Sequence, residues 1–154
     1  MNGPETYGEW VLLLEKLKNG TDDADILRAM KRGTLAWQDG IAERFMKRLM
    51  ETVVGRMDRT ADQFKKEMGR AHGESDIIRA LLAMRKHLVY LLEVVDLPAI
   101  PEEIRKPGIQ LIIDQSEKIQ HSLESSARKD RSGKMESLIR RHSVAINRKD
   151  TKNE

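Results

Sequence analysis

The sequence predicts an all-α fold: a bundle of five to six helices with one long central helix and a basic amphipathic helix at the C-terminus. Three observations predict it. Apolar residues recur at helical spacing over most of the chain, and period-2 alternation is nowhere sustained. Apart from Pro4, the prolines gather at Pro98, Pro101 and Pro107, leaving the long periodic stretches unbroken. Stop and cap residues (Asn19-Gly20, Thr21, Gly33-Thr34, Ser75) fall between those stretches, where helices of ordinary length begin and end.

The first helix is expected from about Thr6 to Lys18, because Trp10, Leu13, Leu14 and Leu17 form one stripe and Asn19-Gly20 supplies a left-handed stop. Thr21 is placed to cap the second. Asp22, Asp23 and Asp25 crowd its first turn, where carboxylates meet the positive end of the helix dipole, and Lys31 and Arg32 end it before Gly33. Thr34 then caps a third helix carried to about Arg70, roughly 55 Å long at the helical rise per residue. Trp37, Ile41, Phe45, Met46, Leu49, Met50, Val53, Val54 and Met57 cover more than one stripe of its first half; Met57, Ala61, Phe64 and Met68 form a single stripe in its second. Gly40, Gly55 and Gly69 interrupt that pattern, each costing about 1 kcal/mol against alanine in a helix interior, so they mark close crossings or a break.

Ser75 begins a fourth helix with the seam Ile77, Leu81, Met84, Leu88, Leu91 and Val95, the alternating steps of four and three of a coiled-coil position pair. Ile78, Leu82, Val89 and Leu92 widen the seam into a face that suits the centre of a bundle. LPAIPEEIRKPG reads as a hinge in which Pro101 opens a one-turn helix and Pro107 ends it. A fifth helix follows from about Pro107 to Arg128, with Ile109, Ile112, Ile113, Ile119, Leu123 and Ala127 inward. Gly133 breaks the chain, and a last helix is expected over Lys134 to Asn147, with Met135, Leu138, Ile139 and His142 on its apolar side.

Charge divides the chain at the same place. Residues 1–126 carry 19 Lys+Arg against 21 Asp+Glu, a net of −2, whereas residues 127–154 carry 9 against 4, a net of +5. The domain organisation read from this is a helical bundle over 1–126 and a basic, partly helical C-terminal extension over 127–154. A free solvated tail has no use for Leu138 and Ile139, so the extension is expected to dock on this body, on a second copy or on a partner.

Several functions are disfavoured by residue type. Zero cysteines remove disulfides, thiolate zinc sites and cysteine nucleophiles, and with no basic-then-apolar leader at the start they favour a cytoplasmic home. Arg79, Arg85, Lys86, His87 and Glu93 interrupt the richest apolar stretch, Ile77 to Leu97, which argues against a membrane span. GRAHGES lacks the Lys-Ser/Thr ending of a phosphate loop. Asp114, Glu117, His121 and Glu124 share one side of helix five, but no second motif supplies further ligands, and a Glu117/His121 surface pair is the simpler account. A helix-turn-helix at 22–48 would put Trp37, Asp39 and Glu43 where donors to bases are needed. No cofactor, metal, small-molecule substrate or catalytic residue is expected, and the chain reads as no enzyme.

The expected function is a helical protein-interaction or regulatory module, self-associating, with the C-terminal helix as its adjustable contact. The contact residues are Arg128, Lys129, Arg131, Lys134, Leu138, Ile139, Arg140, Arg141, Arg148 and Lys149. Met46, Met50, Val53 and Met57 form a candidate apolar groove or dimer seam, since flexible methionine side chains suit a surface that accepts a partner helix. The alternative is a nucleic-acid-associated protein that holds phosphate through the same cations, without the interleaved aromatics that stack bases.

Overall fold

Thr6 opens the first helix in a computed structural model of the chain, which describes residues 3–35 and 40–152. Its hydroxyl accepts the Glu9 amide at 3.2 Å and the Glu9 carboxylate accepts the Thr6 amide at 3.2 Å, a reciprocal cap for α1 (Tyr7–Asn19). Gly20 ends α1 at φ 75°, the left-handed stop expected there. The cap of α2 (Asp23–Lys31) is not Thr21. Asp22 occupies that position in left-handed backbone, without a side-chain bond to the helix. Gly20 and Asp22 are both left-handed in the short link between α1 and α2, and α2 relies on the acids of its first turn and on tertiary contacts.

The third helix begins later than expected, as α3 (Ile41–Gly69). Thr34 is tied elsewhere: its amide donates to the Pro4 carbonyl at 2.8 Å and its carbonyl accepts the Trp10 indole N–H at 3.3 Å. Gly40, at φ 79°, is the break among the three glycines. The expectation for Trp37 falls outside the described residues. A Cβ on Gly55 or Gly69 would meet open space, so neither marks a close crossing.

All six seam residues of α4 (Glu74–Val95) are buried, as expected. The widening residues divide: Leu92 is buried, Ile78 and Val89 are half-buried, and Leu82 is exposed. The proline hinge is absent. One continuous helix, α5 (Glu102–Ala127), contains Pro107, and the Pro101 carbonyl accepts the Ile104 and Arg105 amides. Proline removes one bond to the Glu103 carbonyl, but Glu103 and Pro107 are both exposed, so water can replace it and the helix continues. The last expected helix is shorter. It runs as α6 (Lys134–Arg141), turns at His142, continues as non-helical backbone over 143–147, and turns again at Arg148 into one turn, α7 (Lys149–Lys152).

Seven helices and no strand are present among the described residues, and none of the helices is long and apolar enough to cross a membrane. The chain forms two compact units, residues 1–57 with 93–110 and residues 58–92 with 111–154. The first unit gathers around Trp10, which meets Phe45 edge to face at 5.3 Å between ring centres. Asp23 on α2 accepts both guanidinium nitrogens of the buried Arg56 on α3, at 2.9 and 3.0 Å. Arg105 bridges Asp96 and the Leu97 carbonyl at 3.1 and 2.9 Å, which fixes the turn between α4 and α5. In the second unit Phe64, Leu81, Met84, Leu88 and Ile112 form the core together with Leu138, Ile139, Val144 and Ile146 from the C-terminus.

Candidate functional site

Helix α5 carries a seam of Ile109, Ile112, Ser116, Gln120 and Ala127, all buried. Two polar residues therefore occupy core positions, while Ile113, Ile119 and Leu123, expected inward, are only half-buried. Buried polar side chains need partners, and these find theirs in the main chain of the C-terminal arm, residues 134–152. The Gln120 amide N–H donates to the Ile139 carbonyl at 3.1 Å, and its oxygen accepts the Val144 amide at 2.9 Å. The Ser116 hydroxyl donates to the Ile113 carbonyl at 2.7 Å and accepts the Ile146 amide at 3.0 Å.

Arg85 on α4 takes the opposite edge of the same segment. Its guanidinium donates to the carbonyls of Ser143 and Ala145 at 3.3 and 3.1 Å and to the Asp150 carboxylate at 2.8 Å. In extended backbone the amides of residues 144 and 146 point one way and the carbonyls of 143 and 145 the other, while alternate side chains turn inward. Val144 and Ile146 are accordingly buried. An extended segment ordinarily satisfies its main chain against a second strand; here side chains from two helices do that work. Within the segment, the Ala145 amide donates to the Ser143 hydroxyl and the Asn147 amide to Asp150.

The arm is joined to α5 by residues 128–133, all exposed. Asp130 accepts the Ser132 hydroxyl and amide and the Met135 amide, so it caps α6 in place of Gly133, which has no side chain to do so. The Ser132 and Met135 donors hold its carboxyl below the usual value of 3.8.

Leu138 and Ile139 are buried in the second unit, so their apolar side faces this body. Arg140 pairs with Glu124 at 2.9 Å and with Glu136 at 2.8 Å, contacts that raise its pKa further, and Arg128 reaches Glu136 at 3.6 Å. Arg141 donates to the Ser137 hydroxyl. Lys129, Arg131, Lys134, Arg141 and Lys149 are exposed and form no ion pair among the described residues; Arg148 is half-buried and engaged. The candidate seam on α3 is not a surface. Met46, Val53 and Met57 are core residues of the first unit and only Met50 is half-buried, because α1, the start of α5 and the end of α4 belong to that unit as well.

No family model, curated protein or solved structure matches this chain. The site rests on its own geometry.

Asp114, Glu117 and His121 line one open face of α5 with Lys118, Ser122 and Ser125, while Glu124 is engaged by Arg140. Among the described residues no group of three or more acids and histidines is placed to hold a metal ion. Sequence reasoning missed Arg85, Ser116 and Gln120. A signal was present, since Ser116 and Gln120 stand four apart on the stripe that Ile112 begins, polar residues at core spacing.

Proposed function

We propose that the protein is a non-catalytic helical interaction module of the cytoplasm that presents the outer side of its C-terminal arm, with the residues that join the arm to α5, to an acidic partner surface. One observation carries this reading: the apolar side of the arm docks inward, leaving Lys129, Arg131, Lys134, Arg141 and Lys149 exposed and without ion pairs among the described residues. The unit that bears them has 17 Lys+Arg against 12 Asp+Glu, a net of +5, whereas the other unit has 11 against 13, a net of −2. Such an imbalance favours encounter with anionic surfaces and speeds it. Self-association, expected from the apolar face of residues 41–57 and the heptad steps of 77–95, would need another surface, because Met46, Val53 and Met57 and the α4 seam are buried.

The same cations support a second reading, contact with nucleic-acid phosphate. Residues 127–154, which carry these cations, contain no Trp, Tyr or Phe to stack bases, so this contact would be to duplex backbone. The full chain and its Lys129→Glu, Arg131→Glu, Lys134→Glu variant separate the readings. Partners captured from the native cell should be lost on charge reversal; a partner set unchanged by it contradicts the module. If duplex is the ligand, log affinity falls with log salt by about 0.9 per phosphate neutralised. No duplex binding at low salt removes that reading.

A further inference from the structure

The groove between α4 and α5 that holds residues 142–150 reads main chain rather than side-chain identity. Arg85 takes carbonyls at one edge, and Ser116 and Gln120 take amides at the other. Only Val144 and Ile146 enter it deeply, and Asp150 meets Arg85 four residues beyond the second of them. Recognition of this kind accepts any extended segment that repeats the pattern, as peptide-binding clefts do when they add a strand to an edge. The arm that fills it is tethered by exposed residues that bond locally, among them Lys129 to Ser126, Asp130 to Ala127 and Gly133 to Asp130. Leaving the groove disturbs only those bonds and the arm's own contacts, whereas an empty groove strands buried Ser116 and Gln120. A replacement segment is therefore favoured over a vacancy.

We propose that this groove is a peptide-binding site, normally closed by the protein's own residues 142–150. Its ligand is a segment of a partner protein that runs extended past two β-branched apolar residues two apart and then turns, bringing a carboxylate four residues after the second onto Arg85. This deepens the interaction-module reading by giving the partner a backbone-directed site, with the arm as built-in competitor at an effective concentration on the order of millimolar.

The probe is a labelled synthetic peptide of residues 142–151, titrated into the full chain and into its Val144→Ser, Ile146→Ser variant. The variant should bind it at least about tenfold more tightly than the wild type, which still has its competitor in place. Methylating the peptide's amide nitrogens at positions 144 and 146 should weaken binding by at least about tenfold, since it removes the donors to Gln120 and Ser116 and keeps the side chains. Equal binding by both proteins, or none to the variant at millimolar peptide, overturns the site. A wild-type dimer in sedimentation that the variant loses would assign the groove to a second copy's arm and overturn the partner assignment. If the variant does not fold, amide exchange in the wild type decides: Val144 and Ile146 should exchange at least about tenfold faster than Leu88, because the arm opens on its own. Rates equal to that of Leu88 overturn the proposal. The exposed cations play no part in these measurements, so a failure here leaves the charge-reversal result standing.

Discussion

Gln120 sits where leucine or isoleucine would ordinarily complete a helix seam, and both ends of its amide are used, one on the Ile139 carbonyl and one on the Val144 amide. Gln120→Leu keeps the volume and removes both partners, leaving two main-chain groups in the core unpaired. We expect a loss of about 1 to 3 kcal/mol or more in urea denaturation. A change within half of that would mean that the arm does not depend on the clamp. Asp130 offers a test by pH. Its folded pKa lies below 3.8 because Ser132 and Met135 donate to the ionised carboxylate, so the turn before α6 is stabilised above that value. The contribution is lost as pH falls through the lower, folded pKa. A carboxyl titration followed by NMR should give a midpoint below 3.8, and one at or above it contradicts the cap. At this scale the sequence revealed the charges but not their partners. Arg85, read as an interruption of an apolar stretch, is the residue that holds the arm's carbonyls, and no pattern along the chain joins it to residues 143 to 150.

Helices were legible where one periodicity ran uninterrupted. The α4 seam and the Gly20 stop of α1 followed directly from spacing and capping chemistry. Errors arose where tertiary contacts overrode a local signal. Thr34 has a capping side chain, but its main chain is held by Pro4 and Trp10; Pro107 looks like a breaker, but the bond that it removes lies on an exposed side. The segment HSVAIN extends instead of continuing α6, since Val144 and Ile146 reach the core by alternation. Two helix glycines now have opposite roles. A Cβ on Gly108 would stand 3.0 Å from both Met50 Sδ and Val95 Cγ1, with Val95 itself fully buried, whereas one on Gly55 meets nothing within 4 Å. Gly55→Ala should therefore raise stability by up to about 1 kcal/mol. Gly108→Ala should lower it by about 1 kcal/mol as overpacking outweighs the gain in helix propensity. Thermal denaturation of the pair checks both signs, and the same sign for both would refute the close approach at Gly108.

At the level of the whole molecule, charge and fold divide differently. The +5 of residues 127–154 marks a compositional boundary, yet the arm supplies Leu138, Ile139, Val144 and Ile146 to the core of the unit that also contains residues 58–92 and 111–126. The basic end is attached by its apolar and main-chain groups, and its cations are what remains outside. That separation lets one segment both complete a core and present a charged surface, and both proposals above depend on it. The measurement that tests it most directly is backbone ¹⁵N relaxation of residues 142–147 in the wild-type chain. A docked arm predicts order parameters near about 0.85, those of rigid backbone, for Val144 and Ile146. Values below about 0.6 at both positions would mean a free tail and would contradict the account.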